Sequence, residues 1–383
     1  MAELLDTGGA VPTKVWYGAG SLSLVWDELA SLGAVEPVIV CGRSVRLAGP
    51  VDALLEAGPE MAVACYDRVE PDPCYRTIGA AGIFAREVGA DAVIAVGGGS
   101  SMDAAKAIAV EALEEGWIGR QGAPGKATEV AGALPVIAVP TTAGTGSEVT
   151  PFSVITFPTL KCKLVLNHPA LYPKVAVLDP TLLATAPKAA RMAAGLDALT
   201  HAVESYVSRQ ATERTREHAL QAIGLMAEHL RRAVAEGEDV EAQGGMLRAA
   251  TIAGLAFARS RLGVVHALAL PLGALFGVPH GVANAILLPR GMAFNAPAVP
   301  EAFRRMGGIL AGQPEPAEDP EAAVAAVCRL AADCGAPQRM RDVGVQEEAI
   351  PRMAEDAMQS ANMLINPRAV TLEDALAIYR EAF

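Results

Sequence analysis

The chain has 383 residues, of which 52% are hydrophobic and 19% are charged, and its formal net charge is −12. This length exceeds one ordinary hydrophobic core, so two domains are expected, and the apolar content excludes a disordered chain. The acidic balance argues against nucleic acid and membrane surfaces as partners, because both require clustered lysine and arginine. The composition therefore favours an enzyme of small metabolites.

The cysteines and the N-terminus are typical of a cytoplasmic protein. The six cysteines show no CxxC spacing, and no basic segment followed by an apolar one opens the sequence. The stretch from Leu262 to Pro279 has the length of a membrane span, but Pro271, three glycines and His266 interrupt it. We therefore expect a buried helix pair at this stretch.

The first half of the chain alternates short apolar runs with helical spacing. The runs that are apolar on both faces, as strands buried in a parallel sheet must be, are 38–40, 62–64, 92–96 and 136–139. Helices are predicted between them at 45–57, 75–88 and 102–113, and further strands at 154–156 and 175–178. The alternation predicts an open, mostly parallel α/β sheet over residues 1–184. After it, long alanine- and leucine-rich runs predict an all-helical second domain at 185–383.

A glycine-rich loop follows the strand predicted at 92–96. Gly97, Gly98, Gly99 and Ser100 open a helix that includes Asp103. Glycine lets the backbone approach a ligand closely, and the N–H groups of a helix start suit a phosphate. A plain turn, with Ser100 as N-cap and Asp103 as its capping-box partner, is the alternative.

A second loop, from Pro140 to Thr150, is rich in hydroxyls, holds two glycines and follows the next predicted strand. If the two strands are neighbours, both loops lie at the carboxyl edge of the sheet, where α/β folds bind nucleotides. A solvated threonine-rich loop is the alternative for this segment. Together the loops favour a bound nucleotide; the first lacks the GxGxxG pattern of dinucleotide-binding folds because position 102 is methionine.

Four side chains in the helical half suit a divalent metal. Asp197 and His201 are four residues apart and would share one face of a helix. His266 and His280 lie in almost wholly apolar sequence, where an unpaired imidazole would cost about 1 to 3 kcal/mol. Carboxylate and imidazole ligands suit iron or zinc. For each residue alone, a satisfied core histidine or a surface contact is the alternative.

On these motifs the sequence resembles the iron-dependent (group III) alcohol dehydrogenase family. The residues that carry the resemblance are Tyr17 to Gly20, Gly97 to Ser100 with Asp103, Pro140 to Thr150, Gly195 to Glu204, His266 with His280 fourteen positions later, and Asn366 to Arg368. The resemblance implies a dehydroquinate synthase-like architecture, with an N-terminal dinucleotide-binding α/β domain and a C-terminal all-α domain for metal and substrate. It also implies hydride transfer between NAD(P)(H) and a small alcohol or aldehyde, with the metal polarising the substrate oxygen.

The resemblance further implies roles for individual residues. Asp197, His201, His266 and His280 would bind the metal, which is Fe²⁺ in most relatives and Zn²⁺ in some. The cofactor would contact Gly42, Arg43, Ser44, Gly97, Gly98, Gly99, Ser100, Asp103, Thr141, Thr142, Thr145, Ser147, Val154, Lys163 and Leu182. The substrate pocket would be lined by Phe152, Phe257, Leu270, Phe276 and Asn362.

Two positions depart from the family pattern. Relatives that prefer NAD commonly carry an aspartate just after the strand that here lies at 38–40, whereas this chain has Gly42 followed by Arg43. Without that carboxylate, and with an arginine nearby, the site would admit a 2′-phosphate, so we expect a preference for NADP(H). Leu270 replaces a histidine that many members carry four residues after His266, so a proton relay through that histidine is absent.

Three alternatives stay open at this point. Arg259 and Arg261 would suit a carboxylated substrate, as in a maleylacetate reductase-like enzyme. A 3-dehydroquinate synthase-type enzyme would use bound NAD without net redox change, and Leu270 would fit a non-catalytic nucleotide-binding member. The complete set of four candidate metal ligands favours the dehydrogenase, and a homodimer is the expected assembly.

Overall fold

The computed structural model describes residues 2–121, 130–160 and 162–383. The chain divides into two compact units, the first formed by Met1–Thr142 and Gly146–Ala186 and the second by Ala143–Thr145 and Pro187–Phe383. The first unit therefore ends at Ala186, whereas the sequence-based boundary lies after residue 184. The short segment Ala143–Thr145 groups with the second unit, a division that the order of the chain alone does not predict.

The first unit is built on a β-sheet. Its strands are β1 (Glu3–Leu4), β2 (Lys14–Tyr17), β3 (Pro37–Val40), β4 (Ala64–Tyr66), β5 (Ala92–Gly97), β6 (Val136–Pro140), β7 (Phe152–Phe157), β8 (Cys162–Asn167) and β9 (Val175–Leu178). Seven strands of the described residues form one sheet in the order β1-β2-β9-β6-β5-β3-β4, and only the β1–β2 pair is antiparallel. β3, β5, β6 and β9 are buried along their whole length, as strands covered on both faces must be. The predicted open, mostly parallel sheet is confirmed.

Helices cover both faces of this sheet. They are α1 (Leu24–Ser31), α2 (Arg43–Leu47), α3 (Pro50–Glu56), α4 (Tyr75–Glu87), α5 (Gly99–Glu111) and α6 (Trp117–Arg120). Alternate residues of β5 serve two separate cores: Val93 and Ala95 pack with α4 and α5, whereas Ile94 and Val96 pack with α1 and α3. The two-residue period of the strand thus joins both helical layers to one sheet.

Two sequence-based assignments in this unit are wrong in detail, and a third strand, confirmed at 154–156, lies apart from the main sheet. The helix predicted at 45–57 is two helices, because Gly49 has φ of +100° and Pro50 begins the second of them. The strand predicted at 62–64 lies at Ala64–Tyr66. Residues 154–156 lie outside the main sheet, in β7, which pairs antiparallel with β8. Alternate residues of β7 are buried, the pattern of a strand with one covered face.

The described part of the second unit is helical and has no strand. Its helices are α7 (Lys188–Val207), α8 (Glu213–Ala235), α9 (Val240–Ser260), α10 (Val264–Phe276), α11 (His280–Asn295), α12 (Pro300–Leu310), α13 (Glu321–Asp333), α14 (Ile350–Ala357), α15 (Asn362–Ile365) and α16 (Leu372–Ala382). The apolar stretch at 262–281 is α10 and the start of α11. Within the described ranges no single helix is long and apolar enough to cross a membrane, and the pair α9 and α10, bent by 103°, passes on length and composition alone.

Candidate functional site

Ionisable side chains from three helices meet inside the second unit. Asp197, His201 and Glu204 follow the i, i+4, i+7 spacing that places side chains on one face of α7, and all three are buried. His266 lies in the first turn of α10, and His280 is the first residue of α11. Helix α11 packs against both α7 and α10, which brings the two histidines towards the same face.

One carboxylate oxygen lies at the centre of this cluster. Oδ1 of Asp197 lies 4.0 Å from Nε2 of His201, 3.7 Å from Nε2 of His266 and 3.6 Å from Nε2 of His280. The rings of His201 and His266 stack with centroids 4.7 Å apart, and those of His266 and His280 lie 5.3 Å apart. The structure thus brings together all four side chains that the sequence singled out as candidate metal ligands.

The donor set fits a divalent transition metal. Ligand bonds of about 2.1 Å in a tetrahedral site place neighbouring donor atoms about 3.4 Å apart, close to the three separations from Asp197 Oδ1. Ligand atoms of Asp197, His201 and His266 all lie within 4.8 Å of one another. One carboxylate with three imidazoles is a set that iron and zinc prefer, whereas magnesium and calcium prefer oxygen ligands.

The protonation states of Asp197 and His201 agree with metal binding, whereas that of His266 opposes it. Burial opposes the charge on Asp197, but the imidazoles of His201, His280 and His266 hold its pKa far below the usual range. Burial lowers the pKa of His201 to about 3, against the attraction of Asp197, so its imidazole is neutral at pH 7. Burial also acts on His266, but hydrogen bonds to Asp197 and Glu204 raise its pKa to about 9. A metal bound to His266 therefore has to displace a proton.

Glu204 is a candidate functional residue that the sequence analysis did not single out. Its carboxylate accepts hydrogen bonds from the backbone N–H of Val265 (2.6 Å) and of His266 (3.3 Å), and lies 2.6 Å from Nδ1 of His266. A carboxylate at Nδ1 holds the proton there, so Nε2 is the nitrogen that binds a metal once its own proton is displaced. The available signal was spacing, since Glu204 follows His201 by three residues on the same helical face.

Asn284 is a second residue that the sequence analysis missed. Its Nδ2 donates to Asp197 Oδ1 at 2.6 Å and lies 3.2 Å from Nε2 of both His266 and His280. Two amide hydrogens serve at most two of these three acceptors at once. Its Oδ1 is buried without a hydrogen-bond partner among the described residues. The amide therefore orients Asp197 and competes for the imidazole lone pairs.

The predicted substrate-pocket residues lie on several elements of the two units. Phe257 stacks on His201 with ring centroids 4.4 Å apart. Leu270 lies one turn after His266 in α10 and is 37% exposed. Phe276 ends α10 and Asn362 begins α15, both half-buried, and Phe152 begins β7 in the first unit. Phe257 thus contacts a member of the histidine cluster directly.

The predicted cofactor residues of the first unit lie mainly at one sheet edge. The neighbouring strands β3, β5, β6 and β9 are hydrogen-bonded in parallel, so their carboxyl ends share an edge. The residues at this edge are Gly42, Arg43 and Ser44 after β3, Gly97, Gly98, Gly99 and Ser100 between β5 and α5, Thr141 and Thr142 after β6, and Leu182 in the turn after β9. Thr145 groups instead with the second unit.

The turn between β5 and α5 requires glycine. Gly97 has φ of +143°, and a Cβ there would lie 2.4 Å from Oγ of Ser101. A Cβ on Gly98 would lie 3.0 Å from Oγ1 of Thr142, so the two loops pack tightly. Gly98 caps α5 without any side-chain bond, which leaves first-turn N–H groups for an anion. The capping-box alternative is wrong, because Ser100 lies inside the helix and Asp103 bonds elsewhere.

Asp103 is hydrogen-bonded to the second loop and to the strand that follows it. It accepts hydrogen bonds from Oγ of Ser147 (2.6 Å) and from the backbone N–H of Val154 (2.9 Å). Lys106, which the sequence analysis missed, donates to Ser147 Oγ (2.6 Å) and to the carbonyl of Phe152 (2.9 Å), and lies 3.9 Å from Asp103. Burial raises the pKa of Asp103 and lowers that of Lys106 to about 8. Three of the predicted cofactor residues are thus joined in one network.

Two basic side chains flank this edge. Arg43 lies 3.4 Å from Asp67, and its side chain is 75% exposed. Lys163, on β8, pairs with Asp72 at 2.7 Å, and the backbone N–H of Asp72 donates to Ser100 Oγ at 3.2 Å. Lys163 is therefore connected to the start of α5, whereas Arg43 is largely exposed to solvent.

Comparison with known proteins identifies relatives along almost the whole chain. Residues 12–180 match the family model described as iron-containing alcohol dehydrogenase, and residues 191–383 match the C-terminal model of the Fe-containing alcohol dehydrogenase family. The 1,3-propanediol dehydrogenase of Klebsiella pneumoniae is 40% identical, over 97% of this chain and 98% of that protein.

Solved structures agree with these sequence matches. A crystal structure of 1,3-propanediol oxidoreductase has a TM-score of 0.91 and 39% identity and covers 100% of both chains. Sulfoacetaldehyde reductase from Bifidobacterium kashiwanohense, crystallised with NAD+, has a TM-score of 0.90 and 28% identity over 97% of both chains. The relatives are dehydrogenases and reductases, and they give no support to the maleylacetate reductase-like or non-catalytic alternatives.

Proposed function

The chain belongs to the iron-containing alcohol dehydrogenase family, and we propose that it interconverts a small alcohol and the corresponding aldehyde with a nicotinamide dinucleotide and a divalent metal. The observation that carries this proposal is the placement of three imidazole Nε2 atoms within 4.0 Å of one Asp197 oxygen. In this proposal the first unit binds the dinucleotide, and the second unit holds the metal with Asp197, His201, His266 and His280. Membership of the family favours Fe²⁺ as that metal, and the ligand set also suits Zn²⁺.

Each ligand has a defined task in this proposal. A divalent metal held there would supply a Lewis acid to the substrate oxygen, which lowers the pKa of an alcohol or polarises an aldehyde. Asp197 contributes the negative charge, and His201 contributes a neutral imidazole because burial lowers its pKa to about 3. Glu204 holds a proton on Nδ1 of His266, so Nε2 is the nitrogen that faces the metal.

The apolar side chains near the histidines favour an uncharged substrate. Phe257 covers one face of His201, and Leu270 presents an exposed apolar side chain one turn beyond His266. Leu270 also offers no proton acceptor, so we propose that proton exchange uses water or a hydroxyl. A small alcohol or aldehyde without a carboxylate is the substrate class that these groups accommodate.

The cofactor preference is proposed from the end of β3. A Cβ at Gly42 would lie 2.9 Å from the carbonyl oxygen of Val69, so the backbone leaves little room for a carboxylate at this position. Arg43 beside it is exposed and only loosely paired with Asp67. These features support NADP(H), although sulfoacetaldehyde reductase among the relatives was crystallised with NAD+. A homodimer and a cytoplasmic location stay predictions.

A metal-loaded activity screen tests the proposed function. The protein is reconstituted with Fe²⁺ or Zn²⁺ and assayed with NAD+ and NADP+ against a panel of small alcohols. We expect NADPH formation that chelation abolishes and that one of the metals restores. Tight dinucleotide binding without turnover on any alcohol or aldehyde would contradict the proposal.

A further inference from the structure

The first turn of α10, which carries His266, is capped by side chains from two distant segments. The backbone N–H of Val264 donates to Oδ1 of Asn366 at 3.1 Å, and the next two N–H groups donate to Glu204. Gly263 makes this possible, because a Cβ there would lie 2.8 Å from Asn366 Oδ1. N–H groups of a first turn have no acceptor within their own helix, so these contacts fix where α10 begins.

Asn366 also binds the end of α11. Its Nδ2 donates to Oδ1 of Asn295 at 2.7 Å, and Nδ2 of Asn295 donates back to Asn366 Oδ1 at 3.0 Å. The second hydrogen of Asn366 Nδ2 serves the carbonyl of Arg368 at 2.7 Å. Both asparagines are buried, and every polar atom of the Asn366 amide is satisfied. The residue therefore links the first residue of α10 to the last residue of α11.

These two helices carry His266 and His280. Glu204 touches His266 directly, whereas Asn366 touches none of the four candidate ligands and acts on the backbone two residues before His266. We propose that Asn366, supported by Asn295, is a positioning residue that sets the start of α10 so that His266 Nε2 faces Asp197. The inference rests on the proposed function, because it takes His266 as a metal ligand.

Arg368 provides a second attachment between the segment around Asn366 and the end of α11. Arg368 lies with its guanidinium carbon 4.0 Å from the ring centroid of Phe294 and donates to the Phe294 carbonyl at 3.1 Å. The Asn366 segment is thus held to the end of α11 independently of its bond to Val264. Loss of the Asn366 amide should leave that attachment in place and release the start of α10.

The test compares Asn366→Ala with a control variant that loses a hydrogen bond to another residue of α10. Tyr379 donates to the carbonyl of Leu268 in α10 at 2.6 Å and is buried, so Tyr379→Phe also removes a buried hydrogen bond to this helix. The full-length proteins are stripped with a chelator and titrated with Co²⁺, which reports affinity by chelator competition and ligand geometry by its visible absorption. Thermal unfolding is measured on the same samples.

We expect Asn366→Ala to weaken Co²⁺ binding by about tenfold or more and to change the absorption bands, as loss of indirect support for a ligand does. Tyr379→Phe should lower thermal stability and leave both metal readouts unchanged. If Asn366→Ala does not fold, Asn295→Ala, which removes only the link to α11, is expected to weaken Co²⁺ binding in the same direction.

Two results separate this inference from the proposed function. Wild-type Co²⁺ affinity in the folded asparagine variant, together with loss of binding in His266→Ala, would overturn the role of Asn366 alone. Wild-type affinity in His266→Ala would overturn the ligand assignment and the role of Asn366 with it. Equal weakening in Asn366→Ala and Tyr379→Phe would reduce Asn366 to a general stabilising residue and would also overturn the inference.

Discussion

Glu204→Gln is the substitution whose effect follows most directly from the geometry around His266. The carboxylate accepts from two backbone N–H groups and lies 2.6 Å from His266 Nδ1. A carboxamide keeps the shape but has one acceptor oxygen, so its NH₂ group must face either an N–H of the backbone or the protonated Nδ1. In either arrangement the negative charge beside Nδ1 is lost, so the variant is expected to hold His266 less firmly in its orientation.

The expected losses of metal affinity and of folding stability follow from the kind of bonds that Glu204 makes. Replacing the carboxylate partner of a metal-binding histidine weakens metal affinity by about 10- to 100-fold, or about 1.4 to 2.8 kcal/mol. A hydrogen bond to a charged group contributes about 1.5 to 3 kcal/mol to folding, so a loss of stability of similar size should accompany it.

Chelator competition with Co²⁺ and urea denaturation measure the two effects separately. Glu111→Gln is the matched control, because Glu111 is a buried carboxylate of the first unit that accepts from the backbone N–H groups of Gly116 and Ile118. The control should lose stability and keep its metal affinity. Unchanged affinity in Glu204→Gln, with the control destabilised as expected, would refute the assignment of Glu204 to His266.

Three other outcomes are expected. His280→Ala removes one of four donors and should lose bound metal and activity together; full activity in a metal-free sample of this variant would argue against the site. Arg43→Ala should lower kcat/KM for NADPH by about tenfold or more and spare NADH, with Arg46→Ala, a neighbour on α2 paired with Asp52, as a control; an enzyme that strongly prefers NADH from the outset would disprove the premise. Burial lowers the pKa of Lys106 from 10.5 to about 8, so the folded protein loses this proton before the unfolded chain does. Compared with Lys106→Met, the wild-type free energy of unfolding should therefore rise as pH increases from about 8 to 10.5, by at most about 3.4 kcal/mol; a difference between the two proteins that is independent of pH would contradict this.

The secondary structure that could be predicted depends on how local its cause is. The runs around Val93 and Val136 are strands because nearly every residue is apolar and β-branched or small, a signal contained in the run itself. The breaks at Gly49 and Pro50 also had a local cause, and the helical period of the flanking residues concealed it. The separate pairing of β7 with β8 depends on tertiary packing, which the apolar run at 154–156 does not encode.

The residues of the candidate site also divide into those with a local sequence signal and those defined only by tertiary contacts. Asp197 and His201 share a helical face by spacing, His266 and His280 stand out by their apolar surroundings, and the resemblance to a family implies that all four bind one metal. Glu204 lies on the same helical face, but spacing alone does not assign the roles of Glu204 and Asn284, because the contacts that define them join residues 62 and 87 positions apart. Their side chains also have ordinary structural roles in most helices, so only the folded arrangement distinguishes them.

The central claim is that the Asp197-centred cluster binds the metal on which alcohol oxidation depends. The most direct test titrates the stripped wild-type protein and Asp197→Ala with Fe²⁺ under anaerobic conditions, measuring bound metal and NAD(P)H formation in the same samples. We predict that wild-type activity rises in proportion to bound metal and levels off at one ion per chain, and that both are absent in Asp197→Ala. Full activity without bound metal, or wild-type metal content in Asp197→Ala, would contradict the claim.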